Sequence, residues 1–87
     1  MTNDDEARTR LREAVDGAIA ATAPDVADEL GDLDPDLDLF EEFGLDSMDR
    51  LNIMTAITEA TGVEIPDDRY AHLTSMNRLL AHLSAPA

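Results

Sequence analysis

Phe43-Gly44-Leu45-Asp46-Ser47-Met48-Asp49-Arg50-Leu51-Asn52-Ile53-Met54 is the stretch in which the chain passes from a turn into a helix. Asp46 and Ser47 are both strong N-cap residues, because their side-chain oxygens accept backbone N–H groups left unpaired at a helix start. The spacing predicts a helix from Asp46 or Ser47 to about Thr61. Gly62 follows as the left-handed residue that terminates it. The inward face of this central helix reads as Met48, Leu51, Ile53 or Met54, Ile57 and Ala60. Ser47 is the chemically interesting group, yet nothing in the sequence would activate it as a nucleophile. The chain has no cysteine, and His72 and His82 stand in no triad spacing relative to it. A hydroxyl presented at a helix start without a base is suited to being modified, or simply to capping the helix.

Working outward, Leu11, Ala14, Val15, Ala18 and Ile19 recur at i, i+3, i+4, i+7 and i+8, the stripe of an amphipathic helix. This first helix is placed from about Asp4 or Asp5 to Ala21 or Ala23, with Asp4, Asp5 and Glu6 favouring the dipole of its first turn. Pro24 either ends it or opens a short turn of helix to Leu30, with Gly31 as the stop. Asp32 to Glu42 alternates acidic and apolar residues, but Asp and Pro are poor strand formers. That segment is read as an ordered loop pinned by Leu33, Leu37, Leu39, Phe40 and Phe43. A calcium-loop reading of Asp34, Asp36 and Asp38 fails in register, because Leu39 and Leu45 stand where glycine and glutamate are needed. After the central helix, Val63-Glu64-Ile65-Pro66 is an extended connector. Pro66 and Asp67 then open a short helix through about Ala71. Thr74 caps a last helix, Ser75 to Leu83, whose stripe is Met76, Leu79, Leu80 and Leu83. Ser84 to Ala87 is expected to fray. The fold class is all-α, a four-helix bundle of three main helices and a short third one, within a single domain over residues 1–87 and an ordered core of about 5–83.

Composition narrows the function. Only Phe40, Phe43 and Tyr70 are aromatic, so the interior is a soft one of aliphatic residues and methionine. Twenty acids against six arginines and no lysine give a formal net charge of -14, which excludes a nucleic-acid partner, since phosphate binding needs clustered cations. Eleven acids and no basic residue lie between Asp25 and Asp49, a surface that attracts basic partners or simply stays solvated. No stretch approaches the roughly 20 apolar residues of a membrane span. Met1 to Glu6 lacks the basic start and apolar run of a signal peptide. A cytoplasmic monomer is the expectation.

Gly44-Leu45-Asp46-Ser47-Met48-Asp49, followed by Val63-Glu64-Ile65-Pro66-Asp67 and by Leu73-Thr74 opening the last helix, resembles the acyl carrier protein superfamily over nearly the whole chain. The resemblance implies an acyl-carrier-like bundle. It further implies that the Ser47 hydroxyl is joined through a phosphodiester to 4'-phosphopantetheine, donated by coenzyme A through a magnesium-dependent phosphopantetheinyl transferase. The protein would then be a non-catalytic carrier, with no metal of its own, that holds acyl groups as thioesters and serves acyl-loading and acyl-processing enzymes with basic docking surfaces. Partner recognition falls by resemblance on Asp46, Met48 and Asp49, with Glu41, Glu42 and Glu59 as further contacts; capping would equally explain Asp46. Leu51, Met54, Ile57, Ile65 and Leu79, with Met48, are the candidates for an acyl-chain lining, and ordinary core packing accounts for them too.

One departure from the family pattern concerns the central helix. Fatty-acid carriers present a row of glutamates there, whereas the outward positions of this chain read as Arg50, Asn52, Thr55 and Thr58, with only Glu59 retained. The acidity sits instead before Ser47, at Glu41 and Glu42. This favours a dedicated carrier for polyketide, fatty-acid-like or other specialised acyl metabolism, similar to a divergent bacterial stand-alone branch. A peptidyl or aminoacyl carrier and an unmodified acidic helical interaction module are the alternatives. Tyr70 is expected to pack with its hydroxyl at the surface, His82 to suit the dipole at the end of the last helix, and His72 to have no catalytic role.

Overall fold

The apolar stripe of the first twenty residues folds as α1 (Thr2–Thr22) in a computed structural model of the chain, which describes residues 2–84, with side chains from Glu6 onward. The Asp4 and Asp5 side chains and tail residues 85–87 lie outside the described residues. Val15, Ala18 and Ile19 are buried, and Leu11 and Ala14 are half-buried. The helix begins earlier than the sequence predicts, because no residue before Glu6 interrupts it. Pro24 does both things expected of it. α1 stops two residues before it, and it opens a 3-10 segment (Pro24–Asp32) that buries Val26 and Leu30. Gly31 is not the stop: the segment continues through it, and Leu33 leaves in an extended conformation with its N–H donating to the Leu30 carbonyl. Exit by extended backbone needs no left-handed glycine.

Residues 32–42 are not all loop. Asp38 caps a single turn of helix, α2 (Leu39–Glu42), by accepting the Glu41 N–H at 3.0 Å, and the turn buries Leu39 and Phe40 completely. Asp34 accepts the Asp36 N–H at 2.9 Å, so two of the three acids considered for a calcium loop organise turns. Leu37 is no anchor, being 43% exposed. The segment is held instead by its backbone: Leu39 N–H donates to the Thr74 carbonyl at 2.8 Å, and Asn77 N–H donates to the Pro35 carbonyl at 3.0 Å. The Asn77 side chain extends this tie, donating to Asp36 at 2.6 Å and accepting from Arg8 of α1 at 3.0 Å.

The central helix, α3 (Ser47–Thr61), has the predicted limits, and Gly62 at φ 73° is its left-handed terminator. Its register differs from the prediction. Ile53, Met54 and Ile57 are buried, but Met48 is 63% and Leu51 43% exposed, and Ala60 is exposed as well. The inward stripe is Arg50, Ile53, Met54, Ile57 and Thr61, spaced at i, i+3, i+4, i+7 and i+11. An arginine at its head made the stripe invisible to hydrophobic counting, while two apolar residues on the opposite side imitated a core face.

Asp67–Arg69 is one 3-10 turn, and the chain continues through hydrogen-bonded turns to Leu73, shorter than the expected helix. The last helix, α4 (Met76–Ser84), buries Met76, Leu79, Leu80 and Leu83 as predicted. Its cap is Ser75 and not Thr74: Ser75 is buried and its Oγ accepts the Arg78 N–H at 3.2 Å. Two adjacent residues were equally good caps by type, and Thr74 is committed through its carbonyl to α2. α1 packs on α3, on the 3-10 segment and on α4, and the shared core reaches Ile65 and Leu73 in the connectors. Among the described residues, no helix is long and apolar enough to cross a membrane.

Candidate functional site

The turn before α3 is built by Gly44, whose φ of +66° only glycine adopts freely, and by Leu45, whose N–H donates to the Phe40 carbonyl at 2.7 Å. This hands Asp46 to the helix start in extended conformation. Its Oδ1 accepts the Asp49 N–H at 2.8 Å, and the Asp49 Oδ2 accepts the Asp46 N–H at 3.3 Å, a reciprocal capping box. The cap is therefore Asp46. Ser47 is the first residue inside the helix, exposed, and among the described residues no group hydrogen-bonds to its hydroxyl.

The chain's other two serines are engaged: Ser75 Oγ accepts from Arg78 N–H, and Ser84 Oγ donates to the Leu80 carbonyl at 2.7 Å. The surroundings of Ser47 combine apolar and acidic character. Met48 and Leu51 stand exposed beside it, and Glu41 and Glu42 are exposed on α2 immediately upstream. Glu59 is exposed near the far end of α3. The side chain that the sequence reading misplaced is Arg50. It is half-buried, its guanidinium carbon lies 4.7 Å from the centroid of the Phe40 ring, and its Nε is buried without a hydrogen-bond partner.

Met54, Ile57, Ile65 and Leu79 lie together in the close-packed core, whereas Leu51 does not join them. An open recess of about 780 Å³ lies elsewhere, between α1 and the ends of α3 and α4, lined by Leu11, Ala14, Ala60 and Leu83 among others. His72 is exposed and contributes only its carbonyl, to Arg78. His82 Nε2 lies 3.2 Å from the Glu64 carbonyl, tying α4 to the connector. Tyr70 is half-buried, and its phenol is held above the usual tyrosine range by that burial and by the Asp67 carboxylate to which it donates.

The sequence that builds this site has relatives. The family described as the phosphopantetheine attachment site matches residues 17–83. An acyl carrier protein of Streptomyces coelicolor is 33% identical over 66 residues, which cover 76% of this chain and 70% of the relative. This chain belongs to the acyl carrier protein family. A mitochondrial acyl carrier protein of Dictyostelium discoideum is 41% identical over 44 residues, 51% of this chain but 37% of that protein. No solved structure matches significantly. As a divergent member of the family the chain is one to which 4'-phosphopantetheine is covalently attached, and its relatives are carriers and not catalysts.

The net charge of -14 has a measurable consequence for this carrier. Among the described residues there is one ion pair, Arg12 with Asp16 at 3.4 Å, so most acids repel one another through solvent. Salt near 0.1 M screens beyond about 10 Å. Raising sodium chloride from low millimolar to that range is expected to raise the melting temperature by about 4 °C, the equivalent of roughly 1 kcal/mol in a domain this size. A flat melting curve against salt would show the acids to be already compensated.

Proposed function

We propose that this chain is an acyl carrier protein whose arm is attached to Ser47, within a single carrier domain. The observation that carries the reading is the division of labour at the start of α3: Asp46 and Asp49 cap the helix between them, which leaves the Ser47 hydroxyl exposed and structurally idle. In loading, the Ser47 oxygen forms the bond to the phosphorus that bears pantetheine as the pyrophosphate bond of coenzyme A breaks. The 3',5'-ADP leaves, and the hydroxyl proton passes to solvent or to a base of the transferase. The first turn of a helix suits the resulting phosphodiester, because unpaired N–H groups and the positive end of the dipole face it. When attached, the arm supplies a terminal thiol that holds acyl groups as thioesters, which a protein without cysteine cannot do itself.

Partner enzymes then meet a surface made of Met48 and Leu51 with Asp46, Asp49, Glu41 and Glu42 around them, and Glu59 farther along α3. A phosphopantetheinyl transferase and acyl-processing enzymes with basic rims around an apolar contact fit it by charge. The exposed face of α3 has one glutamate instead of a row, which supports a specialised acyl pathway, polyketide or fatty-acid-like, over housekeeping synthesis. Met54, Ile57, Ile65 and Leu79 are the residues that an acyl chain entering the core would part. Incubation with coenzyme A, magnesium and a promiscuous transferase is expected to add one phosphopantetheinyl group per chain by intact mass, on the peptide that contains Ser47. Absence of any mass gain, or a gain on another peptide, contradicts the proposal.

A further inference from the structure

Between Arg12 and Arg69 the chain has a single basic residue of the Lys/Arg type, Arg50, and it lies three positions after Ser47. It follows the most acidic stretch of the sequence, yet among the described residues no carboxylate pairs with it. It is also set deep for an arginine. Its place is at the head of the buried stripe of α3, its guanidinium stacks on Phe40 at 4.7 Å, and its Nε is buried with no acceptor. A buried donor without a partner is costly, and an arginine serving packing alone would be expected to find a carboxylate or carbonyl for it. The other arginines with a hydrogen-bond partner here, Arg8, Arg12 and Arg78, each have theirs in a side chain or carbonyl of the fold.

Residues three apart on a helix are neighbours, with about 5–6 Å between their Cβ atoms. Helical side chains also lean toward the N-terminus, so Arg50 leans toward the turn that bears Ser47. We infer that Arg50 is a built-in counterion for the phosphodiester joined to Ser47, held ready by Phe40. The inference rests on the Ser47 reading and adds a residue to it. Its chemistry is the fork of N–H donors that a guanidinium offers to a phosphate, which an ammonium matches in charge but not in shape. Its place in the economy of the chain is plain: one more negative charge is added where the surface is already acidic, and the lone cation between residues 12 and 69 stands beside it.

The test compares wild type, Arg50→Gln and Arg50→Lys, each before and after loading from coenzyme A, with attachment checked by intact mass. In wild type, the Arg50 Nε–H signal in nitrogen-proton NMR is expected to shift on loading and to exchange more slowly with water. The change in melting temperature on loading is expected to be about 4 °C less favourable in Arg50→Gln than in wild type, with partial return in Arg50→Lys. Comparing each variant with its own unloaded form removes the loss of stacking on Phe40 from the result. An unmoved Nε–H signal, or the same loading effect in all three proteins, overturns the counterion while leaving Ser47 as the attachment point. No mass gain in wild type overturns both.

Discussion

Ser47→Ala is expected to remain at its unmodified mass under conditions that add one phosphopantetheinyl group to the wild type, while melting within about 4 °C of it. The second half of that expectation is what makes the first informative. In most helices a serine at this point would be suspected of capping, and its loss would cost about 1 kcal/mol. Here the capping oxygens belong to Asp46 and Asp49, so an exposed alanine at the first helical position touches nothing that the fold uses, and exposed substitutions of that kind fall within about 0.5 kcal/mol. The variant should therefore be folded and unloadable at once. The other serines offer no substitute, since Ser75 is buried at its own helix start and Ser84 is bound back to Leu80. Intact mass spectrometry and circular dichroism on the same sample check both halves. An equal mass gain in Ser47→Ala would end the assignment, and a loss of helicity would show that Ser47 has a structural role which the capping box does not explain.

The legibility of this site in the sequence was uneven for physical reasons. Limits of α3 were readable because both ends are set by local chemistry, the cap residue Asp46 with Asp49 completing the box and a left-handed glycine at Gly62. The stripe of α4 was readable because all four of its apolar residues are buried. Within α3, however, hydrophobicity is divided between faces: Ile53, Met54 and Ile57 inside, Met48 and Leu51 outside. Counting apolar residues then selects the wrong rotation, and only tertiary packing reveals that Arg50 belongs to the inner stripe. Long stems let arginine occupy such places while its charged head stays near solvent or stacked on a ring. That one error conceals both the exposed apolar residues that follow Ser47 and the half-buried arginine three positions after it.

Phe40→Ala is expected to be the most damaging single substitution in the chain, lowering stability by about 3–5 kcal/mol. Phe40 is 1% exposed and is the larger of the two residues that α2 sinks into the core. A domain of 87 residues has a total stability of only about 4–13 kcal/mol, so the loss takes a large share and should depress the melting temperature by at least about 12 °C. The aliphatic interior has no second ring at that depth to close the cavity, since Phe43 and Tyr70 are only half-buried. Loss of the ring also removes the platform under Arg50, and that stacking is worth about 0.5–1 kcal/mol where partly exposed. Phe40→Leu separates the two effects: it refills much of the volume and should cost nearer 1 kcal/mol while abolishing the stacking. Thermal melts of the two variants check the order. If Phe40→Leu is as damaging as Phe40→Ala, shape or the ring contact dominates over buried volume. If Phe40→Ala melts like wild type, α2 is not the buried anchor of the turn that presents Ser47, and the segment from Asp38 to Leu45 must be held by its backbone bonds to Thr74 and Phe40 alone.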